Sequence, residues 1–342
     1  MSTTAEPPAT QRVPVTAEML YAGVKEDTWL GRRTYVGASV IGDSCERKLW
    51  YSFRWVNAQE DFDGRKLILF QAGHDGEERM ADVIRKAGIE LATEDPATGK
   101  QYEFVDHAGH FKCHPDGFAR VDGETLIWES KTMNDANFKA LKNKGVRESK
   151  PMHYAQMMSG MAGWKLDRAL YTVENKNTSE LYVEEVEFDP LQWELIREKA
   201  KRVIYSEEPL RMVSEKPDWY ECKFCDAYDV CKGDAVPLMN CRTCIHSTPV
   251  AGGQWHCRKF DNVTDNQTQR AACRQHVYRP DLLRIGEPID AGTDFIAYKT
   301  DAGVFVNGAN QEFKPNQYES FEIAAAGTRT AFLDLVRKGK LQ

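Results

Sequence analysis

Apolar residues recur at helical spacing over 17–24 and again over 66–86, where Leu67, Phe70, Met80, Val83 and Ile84 mark one side. Gly88 is placed to stop the second of these helices. Between them, a turn beginning at Gly37 leads into an aromatic-rich helix carrying Trp50, Tyr51 and Phe53. Four short strands are expected next, at 102–105, 109–113, 118–121 and 125–128, and Asp122-Gly123 is a two-residue hairpin signal. A basic helix near 136–144 follows. Pro151 then opens a helix to about 164, with Tyr154, Met157, Met158 and Met161 on its apolar side. Alternating strands at 169–173 and 181–188 precede a charged amphipathic helix over 191–205. The order α, β-meander, α, β, β, α predicts an α/β (α+β) core, a mixed sheet flanked by helices. Strands at 295–298 and 304–306 and a helix near 328–336 form a small tail. The expected division is a disordered start (1–16), a main domain (17–236), a cysteine-rich module (237–280) and a β/α extension (281–342).

The chain has 342 residues, a formal charge of −7 and 42% hydrophobic residues, ordinary values for a globular protein. No apolar run is long enough for a membrane span. The first residues have neither the apolar core nor the basic charge of a secretory signal. A cytoplasmic protein, bacterial or in a phage-infected cell, with no membrane partner is therefore expected. The acidic balance disfavours a general polyanion-coating protein, but a local basic strip can still follow phosphates.

The central chemical clue lies in the run from His114 to Lys131. Glu-x-Lys triplets also occur at Glu46–Lys48, Glu148–Lys150 and Glu174–Lys176. The triplet Glu129-Ser130-Lys131 differs because it ends an apolar strand that a hairpin sets beside Asp116. Alternation along the strand puts Glu129 and Lys131 on one face. Two carboxylates held close repel unless a cation lies between them. Hard oxygen donors in small number suit Mg²⁺ or Mn²⁺, and a lysine beside such an ion can position or deprotonate water.

The pattern Pro115-Asp116-x12-Glu129-x-Lys131 resembles the PD-(D/E)XK nuclease superfamily. That resemblance implies a restriction-endonuclease-like core and metal-dependent hydrolysis of nucleic-acid phosphodiesters. Upstream, Phe70-x2-Gly73-His74-Asp75-Gly76-Glu77 looks like the first motif of RecB-like and lambda-exonuclease-like members, which supplies a histidine or a glutamate to the metal. Downstream, Tyr154-Ala155-Gln156 resembles their Gln/Tyr motif, which orients nucleophile or DNA. The implied mechanism has Asp116, Glu129 and the Ser130 carbonyl holding the ion, aided by His74 or Glu77. Lys131 activates water, and Gln156 and Tyr154 orient the substrate.

Nine cysteines fall into sets. Cys222, Cys225 and Cys231 form C-x2-C-x5-C and lack a fourth local ligand; Cys45 is the candidate. Thiolates suit zinc and iron alike. Cys45-Glu-Arg-Lys-Leu-Trp50 is similar to the start of CRISPR-associated RecB-like nucleases, which implies a [4Fe–4S] cluster stapling the domain ends. Cys241, Cys244, Cys257 and Cys273 have a zinc-ribbon-like spacing, with His246, His256 and His276 as substitute ligands. Arg242, Arg258, Lys259, Arg270 and Arg274 give this module a basic surface, for DNA or for a structural or protein-docking role. Cys113 is left over as a buried strand residue.

Between 131 and 150 six Lys/Arg (Lys131, Lys139, Lys142, Lys144, Arg147, Lys150) face two acids, so phosphate contacts are expected there. Trp50, Tyr51, Phe53 and Trp55 are either base-stacking or core residues. Nothing reads as a base-specific helix. The main expectation is a metal-dependent DNA exonuclease acting on ends or single strands in phage or prophage recombination, with a recombination protein as partner. The alternatives are a structure-selective or nicking endonuclease, and a non-catalytic DNA-binding or regulatory protein.

Overall fold

The computed structural model describes residues 15–27, 31–58, 62–308 and 316–339. Most of the expected disordered start, residues 1–14, lies outside them. The described residues form twelve α-helices and fifteen strands. None of these helices is long and apolar enough to cross a membrane.

The central sheet has five strands in the order Glu90–Ala92, Gly117–Val121, Glu124–Met133, Arg168–Asn175 and Leu181–Glu187. Only the pairing of Glu124–Met133 with Arg168–Asn175 is parallel, so the sheet is mixed, as expected. The helices Asp135–Ser149 and Pro151–Trp164 make the crossover that a parallel pair requires. At the tight hairpin Asp122 and Gly123 take φ values of 51° and 85°, the left-handed pair that matches strand twist. That turn fixes the register Gly117↔Trp128, so Asp116 falls opposite Glu129.

The expected meander is divided. Phe104–Asp106 and Phe111–Cys113 leave the main sheet and pair with each other and with Val36–Gly37. The strand Glu90–Ala92, which has no apolar alternation to announce it, takes the vacated edge.

Alternation along the central strands separates two cores. Leu126, Trp128 and Leu170 meet Met80, Ala81 and Ile84 of the helix Gly64–Lys86 on one face. Ile127, Ala169, Tyr171 and Val173 meet Met157, Met158 and Met161 of the helix Pro151–Trp164 on the other. The cysteine-rich segment shares the second core through Trp255, and the tail packs around Tyr298, Phe305 and Phe332. Trp50, Tyr51, Phe53 and Trp55 are all buried, so they are core residues and present no stacking surface.

One glycine sets the distance between the helix Gly64–Lys86 and the central strand. A Cβ on Gly76 would meet Thr132 Cγ2 at 2.6 Å. Overpacking of this kind costs about 1–3 kcal/mol, against roughly 1 kcal/mol gained by replacing a helical glycine with alanine. Gly76→Ala is therefore expected to lose about 1 kcal/mol in thermal or urea unfolding, and Gly76→Ala with Thr132→Ser to recover it. A single variant as stable as wild type would contradict this packing.

Candidate active site

The hairpin and the strand period bring Asp116, Glu129 and Lys131 together. Glu129 is fully buried and Asp116 is 8% exposed. Asp116 Oδ2 accepts from the Ser130 backbone N–H at 2.7 Å and lies 3.4 Å from Lys131 Nζ. Lys131 Nζ also donates to the Ser130 carbonyl at 2.8 Å and forms an ion pair with Glu129 Oε1. Three oxygens from three residues thus converge on one ammonium. Glu129 Oε2 is buried with no hydrogen-bond partner among the described residues.

Burial, then the Asp116 charge, pushes the Glu129 carboxyl up to about 8. Burial alone would lower the Lys131 ammonium, but Glu129 and Asp116 hold it above its usual range. In this arrangement Lys131 Nζ is engaged by oxygens of Asp116, Glu129 and Ser130.

Glu77 reaches the same charges from the helix Gly64–Lys86. It is half-buried, and its carboxyl is raised by burial and then by Asp116, with Lys131 and His74 opposing. His74 is exposed and shares a groove wall with Glu77, Glu78 and Trp128. Of the two candidates, Glu77 is the one beside the carboxylate pair.

From the opposite face the helix Pro151–Trp164 supplies Gln156, whose Nε2 points to the His114 carbonyl at 3.5 Å. Tyr154 does not join it. Its ring packs in the core with Arg147 Cζ 5.4 Å from the centroid. Residues two apart diverge on a helix, whereas residues three apart align, so His153 shares the Gln156 face. His153 Nδ1 and Tyr171 Oη share a 2.6 Å hydrogen bond, and Tyr171 is the register partner of Glu129. Burial, then Lys131 and Lys150, lowers His153 to about 3. Reading His153-x-x-Gln156 as a helix face would have found it.

The expected basic strip is largely paired. Lys139 bonds Asp135 at 2.7 Å, Lys142 Glu180 at 2.6 Å, Lys144 Glu148 at 2.8 Å and Arg147 Asp189 at 3.4 Å. Lys150 instead donates to Asn137 Oδ1 at 2.6 Å. The module's expected basic surface is also reduced. Arg242 is buried, Arg258 donates to the Ile245 carbonyl at 2.5 Å, and Lys259 pairs with Asp294 at 2.6 Å.

No disulfide forms among the nine cysteines. Cys45 joins Cys222, Cys225 and Cys231 around one small cavity, and Cys241, Cys244, Cys257 and Cys273 line another with His246 and His276. Burial raises Cys225 to about 11 and Cys241 to about 12, with neighbouring thiols adding to both. His276 Nε2 is engaged by the Asn240 carbonyl at 3.0 Å and His256 Nε2 by Asp261 at 3.2 Å. No group of three or more His, Cys, Asp or Glu among the described residues has a ready metal-holding arrangement. Cys113 is buried beside Gln156, its Sγ 3.7 Å from that residue's carbonyl oxygen.

No family model matches the chain, and no curated protein sequence matches it. Among solved structures, the alkaline exonuclease LHK-Exo of Laribacter hongkongensis is 18% identical over 55% of this chain and 90% of its own, with a TM-score of 0.34. SSO0001 is 15% identical over 63% and 96%, with a TM-score of 0.38. A phage-related exonuclease from Haemophilus somnus 129PT is 14% identical over 52% and 94%, with a TM-score of 0.37. Likeness at TM-scores this low carries no argument about the chemistry of the site.

The buried Glu129 Oε2, without a partner among the described residues, and the oxygens of Asp116 and Ser130 are the donors a hard divalent cation would use here, although these residues do not form a ready-made metal-holding group. Mg²⁺, which thiolates bind poorly, is expected to raise the unfolding temperature in a concentration-dependent way, the underlying stabilisation reaching about 2.7 kcal/mol at a hundredfold excess over Kd. Glu129→Gln and Asp116→Asn are expected to abolish that rise. An equal Mg²⁺ response in all three proteins would remove the ion from this site.

Proposed function

We propose that this protein is a Mg²⁺- or Mn²⁺-dependent deoxyribonuclease acting from DNA ends. The observation that carries the reading is the convergence of Asp116 Oδ2, Glu129 Oε1 and the Ser130 carbonyl on a single cation, now the Lys131 ammonium, beside an unpaired Glu129 Oε2. Those oxygens, with Glu77, would hold the metal. When bound, the metal supplies Lewis-acid polarisation of a phosphoryl oxygen and a more acidic water.

The chain's own groups do the rest. Lys131, kept protonated, donates to the attacking water or to a phosphate oxygen and offsets charge that develops on it. Gln156, on the rim facing His114, orients the substrate. His153 and Tyr171 act as positioning residues that fix the wall beside Glu129. The preference for ends comes from the sequence resemblance to exonucleases, and closed circular DNA tests it.

Wild type is expected to degrade end-labelled linear DNA with Mg²⁺ or Mn²⁺ and to leave covalently closed circles intact. Glu129→Gln and Lys131→Ala are each expected to lose about 100-fold or more in rate. Equal rates in all three proteins would reject this mechanism, and cleavage of closed circles would favour the endonuclease reading.

We further propose that Cys45, Cys222, Cys225 and Cys231 hold a [4Fe–4S] cluster, and that Cys241, Cys244, Cys257 and Cys273 hold zinc. What supports this is each thiol set's gathering on one cavity, the first across 177 positions of sequence (222 − 45). Four thiolates suit either ion, and closing so long a loop constrains the unfolded chain. Cys45→Ala and Cys225→Ala are expected to lose the same iron, measured by elemental analysis and visible absorption, and to be destabilised alike. A Cys45→Ala protein with its full iron content would break the shared set.

A further inference from the structure

Three arginines from distant parts of the chain close on one indole. The Arg242 Cζ lies 3.7 Å from the Trp55 ring centroid, that of Arg270 5.5 Å and that of Arg32 5.6 Å. Trp55 is itself buried and fixed, its Nε1 donating to the Arg33 carbonyl at 2.9 Å. Arg242 sits between Cys241 and Cys244 in sequence and is 1% exposed. Its Nε donates to Gln269 Oε1 at 2.8 Å, and its Nη1 to the carbonyls of Thr34 and Phe53 at 3.1 and 2.9 Å. Its Nη2 is buried and has no partner among the described residues. All of its acceptors are neutral.

A buried guanidinium ordinarily comes with a carboxylate, because leaving the charge uncompensated is unfavourable. Here the neighbours are further guanidinium groups. Burial and then Arg32, Arg54 and Arg270 all oppose the Arg242 charge, and no acid among the described residues offsets it. Among the described residues two carboxylates act on other members of the group: Asp226, which already accepts from Asn57 at 3.3 Å, on Arg32, and Glu207 on Arg54. The aromatic faces relieve part of the charge. The remaining counter-charge has to come from outside the cluster, and Arg32 (half-buried) and Arg270 (exposed) are the members that reach solvent.

The cluster also leads towards the cutting site. The Thr34 carbonyl that holds Arg242 is followed by Tyr35, whose ring lies 5.9 Å from that of His114, two residues before Asp116. Val36–Gly37 then pairs with the strand Phe111–Cys113. Arginine forks match phosphate oxygens, and such contacts position a nucleic-acid backbone without reading its bases.

We propose that Arg32 and Arg270, above the Trp55–Arg242 pair, bind a backbone phosphate of the nucleic-acid substrate at a site separate from the metal-binding carboxylates. The identity of the anion as substrate backbone rests on the proposed nuclease activity; the presence of an anion site does not.

The test is equilibrium binding of the full-length protein to labelled single- and double-stranded oligonucleotides, without Mg²⁺, across about 50–200 mM salt. Arg32→Ala with Arg270→Ala is expected to weaken binding several-fold. It should also make log K against log salt shallower by about 0.7–0.9 per lost contact. Arg270→Ala alone, at an exposed position, should lose part of that slope, and Arg270→Lys should keep it. Unchanged affinity and slope in the double variant would overturn the proposal. So would inorganic phosphate raising the unfolding temperature through these arginines while DNA binding keeps its slope, since that describes a small-anion site. If the slope falls but wild type cuts no DNA, the nuclease reading fails and the anion site stands. If wild type cuts DNA and the slope is unchanged, only the anion site fails.

Discussion

Two carboxylates, Asp116 and Glu129, face each other across a tight hairpin in a place with almost no access to water. That is an unfavourable arrangement for anions, and it persists because one cation is supplied locally by Lys131, two residues along the same strand face. The compensation is incomplete. One Glu129 oxygen has no hydrogen-bond partner among the described residues, and the carboxyl is displaced far above its usual range. A fold optimised for stability alone would place neutral, well-packed side chains here. Keeping the repulsion makes sense if a divalent ion relieves it, which is the usual trade between stability and function.

The rest of the core can be read as what it takes to hold that pair still. Both faces of the central sheet are covered, and each covering helix brings a polar group to the edge of the site. Gly76 lets the helix Gly64–Lys86 approach Thr132 closely enough for Glu77 to sense the Asp116 charge. On the other side, the helix Pro151–Trp164 carries His153 and Gln156 one turn apart, and the His153–Tyr171 hydrogen bond ties that helix to the strand beside Glu129. The groups that reach the centre are those on the correct phase of each element.

That dependence on phase explains what was legible in the sequence and what was not. The hairpin dipeptide Asp122-Gly123, together with the period of a strand, was enough to bring Asp116, Glu129 and Lys131 together, because both are local rules. The helices that apolar spacing predicts over 66–86, 151–164 and 191–205 are found at Gly64–Lys86, Pro151–Trp164 and Pro190–Tyr205. The motif puts Tyr154 next to Gln156 as letters, whereas in the fold Tyr154 packs in the core and His153 lies one helical turn from Gln156. The division of the meander between two sheets was hidden because the pairing of Val36 with Phe111 joins residues far apart in sequence. The pairing of the basic strip is hidden for a related reason. Counting charges within 131–150 cannot see Glu180 and Asp189 arriving from elsewhere to pair with Lys142 and Arg147.

The location of unspent positive charge is therefore a three-dimensional property. A chain with a formal charge of −7 does not attract a polyanion by its net field. Its exposed lysines and arginines along the helix Asp135–Ser149 are mostly matched by acids, and such surface pairs contribute little either way. Positive charge poorly matched by acids among the described residues is found instead where folding has brought arginines together around Trp55, Arg242 among them, between two cysteines of the second set in sequence. A lysine strip can trade a carboxylate for a phosphate at almost no net gain. Guanidinium groups that repel one another and are held largely by neutral acceptors gain more of the interaction when an anion arrives. The same logic governs the carboxylate pocket with the signs reversed: two anions are crowded there around the single Lys131 ammonium. The fold thus carries two unbalanced clusters of opposite sign, linked through Tyr35 and His114, and a phosphodiester bridged by a divalent ion presents the charges that each of them lacks.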